Sequence, residues 1–490
     1  MKRCFTFAAA TAATLAASPA AAAIPPNGDP VLFWNDLAIS LVGGGAPPQA
    51  RTMAMLNTAM HDAVSRTYGG ASNYYNTGVT APGGNVRAAA AVAARNVLVA
   101  VNPANAAAYD NALAGQLAQV TNGTAKTNGM TTGAAYATAM LLARTGDGSV
   151  APPGFTYTPG SLPGQWRPTP PGNAAAALPH WGGVNPFLLN SGAQFRPDAP
   201  PTLNSAEYLA DYNEVKEIGS LTSATRTGDQ TASALFWDAS TGTTWHRIAV
   251  DVIADDGEST LVNVRIMAKV SAAVADSLIA GFDAKYIYNL WRPVTAIREG
   301  DNDGVAGTVG DAGWSPLFAT PAHPSFVSTH SMQSGAASAV LLGLGIDQAF
   351  SSTISGDTRM FTSIGQAALD AANSRLWGGI HFRFDNEIGV STGSTIGQWA
   401  LRQDAFNAVP EPASWALMVA GFGLVGAAAG ANGACLNRKR AAPQRVALSA
   451  SSAGANMEVG PSSRFATGII GSGLGNVAPL FPGVAANDEW

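Results

Sequence analysis

From Asp29 to Val64 the apolar residues recur at helical spacing, as in Arg51-Thr-Met-Ala-Met-Leu-Asn-Thr-Ala-Met-His-Asp-Ala-Val64. That period places them on one face of a helix and differs from the two-residue alternation of a strand. Ala-rich segments of the same kind follow at 85–101, 104–120 and 131–144, and helical spacing returns at 208–220, 230–237, 245–253 and 261–288. No convincing run of alternating strands and no internal repeat is visible. Between Gly146 and Pro201 the chain changes character: Pro and Gly become dense, with Trp166, Trp181 and Phe187 among them. Aromatics at that density favour packing over free solvation, which predicts a long ordered excursion over the surface. The expected fold is therefore all-α, with two helical bundles sharing one interior and a long Pro/Gly-rich connector wrapped around them.

Charge narrows the partners. Only 12% of the 490 residues are charged, against about 25% in an ordinary globular chain. The net charge of -5 argues against a nucleic-acid partner, which would show as a basic stripe or tail. A hydrophobic content of 47% can furnish a sizeable core, which excludes global disorder. Charge-free apolar runs occur only near the two ends, which excludes a polytopic membrane protein. A disulfide scaffold is excluded too, because the two cysteines, Cys4 and Cys435, both lie in those terminal segments.

The ends read as address labels. Lys2 and Arg3 precede an apolar stretch from Phe5 to Leu15 and small residues ending at Ala23, the layout of a secretory signal peptide over 1–23. Its removal would take away Cys4, so the exported body could fold in an oxidising compartment without mispairing. Near the other end, Pro410-Glu411-Pro412 leads into an apolar run from Ala413 to Ala431, followed by Arg438-Lys439-Arg440. That is a short membrane-anchoring span with a basic cytoplasmic flank. Its order resembles the PEP-CTERM sorting signal of exported bacterial proteins, which implies an exosortase-type processing partner for 407–440. Such signals usually finish the chain, whereas here a Ser/Gly/Ala-rich tail runs on over 441–490. The expected location is outside the cytoplasm of a Gram-negative-type bacterium: periplasm, cell surface or extracellular matrix. The remaining residues, 24–406, form the expected helical body.

Three segments of that body concentrate unusual polar residues. In the first, Lys285 and Arg292-Pro293 stand seven positions apart, close to two helical turns, so both cations are expected on one helix face, where an apolar setting demands an anion or carboxylate. The second, His323-Pro-Ser-Phe-Val-Ser328-Thr329-His330, precedes a small-residue run. It reads as a loop feeding a helix N-terminus, where free N–H groups, the Ser328 hydroxyl and His330 would meet an anion. In the third, Ser374-Arg375-x5-His381-x3-Asp385, helical i, i+4 spacing would let Asp385 hold one tautomer of His381 and free its other nitrogen as nucleophile or ligand. Arg375 adds a planar donor fork. Taken singly, each segment also fits a bland role: a solvated helix edge, an ordinary N-cap, a surface His–Asp pair.

Together, Lys-x6-Arg-Pro, Ser-Thr-His and Ser-Arg-x5-His-x3-Asp resemble the signature of the acid phosphatase and vanadium-dependent haloperoxidase superfamily, which includes the type 2 phosphatidic acid phosphatases. The first and third motifs match at every defined position. The middle one departs from Pro-Ser-Gly-His at Val327 and Thr329. The branched Cβ of Thr329 is expected to restrict the loop and narrow the approach to the anion. Beyond the motifs, a looser likeness to bacterial vanadium haloperoxidase-like proteins runs from Asp29 to Phe406, with the motif-bearing half at about 205–406.

The resemblance implies a vanadate cofactor, with Lys285, Arg292, Arg375, Ser328 and the Thr329 N–H on the equatorial oxygens and His381 as the metal ligand. It implies His330 as acid/base at the opposite apical oxygen, Lys285 polarising the bound peroxide, and Asp385 orienting His381. Hydrogen peroxide and a halide would be the substrates and hypohalous acid the product. His323 resembles the halide-influencing position, which points to bromide or iodide, although an ordinary loop histidine fits as well. One alternative is a periplasmic acid phosphatase acting on small phosphate esters, with His381 as nucleophile forming a phosphohistidine. Another is a non-catalytic surface or matrix protein on the same fold.

Overall fold

The computed structural model describes residues 25–406 apart from 26, 70–73, 76, 78, 80–82, 239–241 and 255–256. The expected leader over 1–23, the sorting-type segment over 407–440 and the tail over 441–490 lie outside the described residues.

Thirteen helices are described: α1 (Pro30–Leu41), α2 (Ala46–Thr67), α3 (Val86–Val101), α4 (Ala106–Ala118), α5 (Thr124–Ala143), α6 (Ala206–Ile218), α7 (Gly228–Asp238), α8 (Thr244–Ala254), α9 (Thr260–Tyr288), α10 (Pro293–Arg298), α11 (Thr329–Gly343), α12 (Ile364–Trp377) and α13 (Arg383–Arg402). Several start where the sequence supplies a cap. Asp29, Asn85, Ser205, Ser259, Ser328 and Ser363 each accept a first-turn N–H through the side chain. The periodic stretch from Asp29 to Val64 divides in two. Gly44 takes a left-handed φ of 96° between α1 and α2, and proline in the first turn restarts the helix.

The expectation of no strands needs one correction. Residues Phe350–Ile354 (β1) and Asp357–Phe361 (β2) pair antiparallel, with Phe350 opposite Phe361. Each is only five residues long, too short for alternation to stand out. The turn rests on Ser355 and Gly356, both at positive φ, as a tight hairpin requires.

Two apolar clusters organise the helices. The larger gathers α1, α2, α3, α8, the first half of α9 and the later part of α11. The second gathers α6, the end of α9, α10, the start of α11 and the start of α13. The 29-residue α9 runs through both. The connector is ordered as expected and buries Trp166, Trp181 and Phe187. Buried Asp276 on α9 accepts the N–H groups of Phe187, Leu188 and Leu189, which ties the connector to the bundle.

Helices α11 and α13 pack closely, and glycine allows it. A Cβ at Gly389 would lie 2.8 Å from Ser328 O, at Gly393 2.1 Å from Met332 O, and at Gly397 2.3 Å from Ala336 O. These glycines and carbonyls both step by four residues, so they form a ladder in which backbone meets backbone. Gly335 answers from α11, where a Cβ would lie 2.3 Å from Val390 O.

Gly393→Ala is expected to lower stability by about 1–3 kcal/mol through overpacking. Gly365→Ala on α12 has only Ser363 Oγ at 3.9 Å nearby, and should raise stability by up to about 1 kcal/mol. Urea unfolding of the two variants checks the contrast. A second expectation concerns His246, fully buried in α8, where burial lowers its pKa to about 3 from 6.5. The native state then excludes a proton that the unfolded chain takes up below pH 6.5, so stability falls with pH. Between pH 7 and 5 this group alone costs about 2 kcal/mol. His246→Leu should remove that part of the slope in paired urea titrations.

Candidate active site

The three polar segments converge, though not in the way helical spacing alone predicts. Helix α9 ends at Tyr288, and Asn289 closes it in a left-handed conformation at φ 52°. Lys285 therefore belongs to the last turn of α9, while Arg292 is the N-cap residue of α10. The two cations do not share a helix face. They meet because the turn between them is held from both sides. Trp166 N–H donates to Asn289 O and Trp291 N–H to Gly164 O on the connector side, each near 2.9 Å, while Ser325 N–H donates to Leu290 O at 2.8 Å.

Lys285 and Arg292 are fully buried and Arg375 is 2% exposed, so a solvated helix edge is ruled out for all three. Lys285 Nζ donates to Pro324 O and Ser325 O, both at 2.8 Å, so carbonyls rather than a carboxylate receive it. Burial, reinforced by Arg292, pushes its pKa well down. Arg292 Nε donates to His323 O at 2.8 Å and Nη1 to Ile380 O at 2.7 Å. Burial brings Arg292 down to about 9 and Arg375 to about 10. Arg375 Nη1 donates to Trp237 O at 3.2 Å, Nη2 lies 3.7 Å from Asp238, and its guanidinium stacks over Phe318 at 4.9 Å. Its Nε is buried without a hydrogen-bond partner among the described residues.

The third segment also needs a correction. His381 precedes α13, Phe382 is the N-cap residue, and Asp385 sits in the first turn. The i, i+4 helical pair therefore does not exist as such. The contact does: His381 Nδ1 lies 2.8 Å from Asp385 Oδ2, which also accepts Phe382 N–H at 3.2 Å and the Ser325 hydroxyl at 2.5 Å. The start of α13 is anchored by Asp211 on α6, which accepts Phe384 N–H at 2.7 Å.

The tautomer of His381 follows from its neighbours. Arg292 Nη1 stands 3.0 Å from His381 Nε2 and can only donate. Nε2 is therefore the acceptor, and the ring hydrogen is on Nδ1, donated to Asp385. Burial, with Arg292 and Lys285 beside it, holds His381 neutral. The outcome is an unprotonated Nε2 whose lone pair faces the Arg292 guanidinium.

His323 lies against the same guanidinium. Arg292 Nη2 is 3.0 Å from His323 Nδ1, so Nδ1 accepts and its 3.3 Å approach to Pro324 O is not a hydrogen bond. Its ring packs on Phe282 at 5.3 Å, and burial with Lys285 and Arg292 nearby lowers its pKa well below 6.5. The middle segment enters α11 as expected: Ser328 is the N-cap, accepting Ser331 N–H, and Thr329 and His330 form the first turn. A cap uses a lone pair and leaves the Ser328 hydroxyl hydrogen for a ligand. The Thr329 methyl faces α9, where a Cβ at Gly281 would lie 2.7 Å from Thr329 Cγ2.

All nine sequence-derived positions thus belong to this site or its walls. Sequence reasoning missed Ser325, Asp238 and Asp211. Ser325 lay inside a motif already singled out, but nothing in its spacing signals that its hydroxyl meets Asp385 while its carbonyl meets Lys285. Asp238 and Asp211 come from helices remote in sequence.

The arrangement suits a tetrahedral oxyanion such as vanadate or phosphate. Three buried cations face one buried carboxylate, Asp385, with half-exposed Asp238 only beside Arg375. A first-turn N–H of α11, the Ser328 hydroxyl and the unpartnered Arg375 Nε add neutral and charged donors. His381 Nε2 supplies a lone pair able to bind the central atom.

Comparison with known proteins bears on the fold that carries these residues. The family model described as the VCPO second helical-bundle domain matches residues 265–407, which include all three motifs. The structure of a bacterial vanadium-dependent iodoperoxidase superposes with a TM-score of 0.66 at 27% identity, covering 76% of this chain and 96% of that one. A bacterial vanadium-dependent chloroperoxidase in its holo form gives 0.60 at 16% identity, covering 75% and 95%. No curated protein sequence matches the chain. The chain therefore has the helical-bundle fold of the bacterial vanadium-dependent haloperoxidases, with its three motifs in a VCPO-type second helical-bundle domain.

Proposed function

We propose that this protein is an exported vanadate-dependent haloperoxidase that oxidises bromide or iodide with hydrogen peroxide to hypohalous acid. The observation that carries the reading is the buried surplus of positive charge around the His381 lone pair. Buried cations left unpaired are costly, and an oxyanion would compensate them. The 27% identity to an iodoperoxidase over most of both chains supports this chemistry over ester hydrolysis.

Lys285, Arg292, Arg375, the Ser328 hydroxyl and the Thr329 N–H would hold the oxygens of vanadate, with His381 Nε2 as its protein ligand. Bound there, vanadate supplies a Lewis acid that activates peroxide without changing oxidation state. Asp385 keeps the proton on His381 Nδ1, so that Nε2 stays a ligand. Arg292, which donates to Nε2 in the structure, would turn its Nη1 to an oxygen. His330, half-buried in the first turn of α11, would serve as the acid/base that moves the proton. His323, neutral and fixed on Arg292, would influence the halide through that guanidinium. The reading of 1–23 as a signal peptide supports export.

Full-length protein given vanadate and peroxide is expected to halogenate a phenolic dye with bromide or iodide, in proportion to bound vanadate. Turnover of a small phosphate ester, inhibited by vanadate and with no halogenation, would overturn the proposal in favour of a phosphatase. Absence of any vanadate-dependent signal would favour a non-catalytic protein. Asp385→Asn is expected to weaken vanadate binding by about 10–100-fold, because the orienting carboxylate is lost. Titration of tryptophan fluorescence with vanadate measures it.

A further inference from the structure

Thr329 is, with Val327, one of two residues at which this chain departs from the motif it otherwise matches, and its expected effect was to crowd the anion. The structure places the side chain elsewhere. Its Cγ2 points to Gly281 on α9, where any Cβ would come within 2.7 Å of it and within 2.9 Å of Met332 Sδ. Gly281 lies one helical turn before Lys285, so both belong to the same side of α9. That side therefore grips the cradle loop at two points: a hollow for the Thr329 methyl and an ammonium for the carbonyls of Pro324 and Ser325.

The two neighbours of the hollow differ in compliance. Thr329 is β-branched, stiff at χ1 and fixed in the first turn of α11. Met332 is unbranched and can move its sulfur aside. The start of α11 cannot retreat the other way, because Gly389 on α13 already lets Ser328 O and Ser331 Cβ approach to where its own Cβ would be 2.8 Å from each. A side chain at 281 would thus press on the Thr329 methyl, and would be relieved by turning that side chain or by displacing the α11 N-terminus.

We propose that Gly281 is a positioning residue for the oxyanion cradle, its missing side chain being what allows a threonine at the first turn of α11 while the anion space stays open. The proposal rests on the oxyanion reading of the site, and it makes Gly281 and Thr329 a matched pair. Gly281 touches no ligand itself and acts through Thr329.

The test is a double-mutant cycle in the full-length chain with orthovanadate as the probe, read by tryptophan fluorescence and calorimetry. Gly281→Ala is expected to lower vanadate affinity by at least about tenfold, the scale of a misplacement of under an ångström. In a Thr329→Gly background the same change should alter affinity by no more than about twofold. Circular dichroism and urea unfolding report folding in parallel. If Gly281→Ala alone fails to fold, recovery of both fold and vanadate binding in Gly281→Ala/Thr329→Gly supports the pair, and recovery of fold without binding overturns it. Equal losses of affinity in both backgrounds, or no loss in either, overturn it as well. A wild-type chain that binds no vanadate would overturn the oxyanion reading and this inference with it, whereas normal wild-type binding with an uncoupled cycle removes the inference alone.

Discussion

The distance between α11 and α13 sets where the chemistry-bearing groups stand. Gly389, Gly393 and Gly397 step along α13 beneath Ser328 O, Met332 O and Ala336 O, so the two backbones meet where any side chain would clash. Ser328 and Thr329 open one of these helices, and His381 and Asp385 flank the start of the other. A methyl group added to the ladder would push the first turn of α11 away from the imidazole. Packing density and site geometry are thus one constraint, enforced by residues that contribute no functional group.

A second layer holds the cations. Burying Lys285, Arg292 and Arg375 in a chain with so little charge is costly, and the structure offsets the cost with carbonyls. Pro324 O, Ser325 O, His323 O, Ile380 O and Trp237 O all accept from them. Carbonyls satisfy donors without neutralising charge, so the site keeps its positive potential while its geometry is fixed. Ser325 is central to this arrangement, since its hydroxyl meets Asp385 and its carbonyl meets Lys285. The connector adds rigidity from outside by pairing Gly164 and Trp166 with the turn at 289–291.

Much of this was legible in the sequence. Helical spacing located α1 to α9, because burial on one face is a local, periodic property, whereas α10, α12 and α13 were not marked by it. The motifs singled out nine residues because cations, a helix N-terminus and an imidazole are what an oxyanion would call for, and those residue types are scarce here. Details of geometry were less secure. Seven-residue spacing suggested that Lys285 and Arg292 share a helix, but Asn289 ends α9 between them. The His381–Asp385 contact was foreseen for the wrong reason, since a cap rather than a helical turn creates it. The hairpin at 350–361 escaped notice because five-residue strands carry too little pattern.

By itself, the sequence determined the helical class and singled out the scarce charged and imidazole groups that gather at the site, both of which depend on residue identity and short-range spacing. Only the tertiary structure decided the His381 tautomer, the direction of the Thr329 methyl and the partners supplied by Ser325, Asp238 and Asp211. Those depend on which backbones come within a few ångströms of each other. Contacts between residues such as Gly281 and Thr329, or Arg292 and His381, arise from packing of segments far apart in the chain, and no local pattern encodes them.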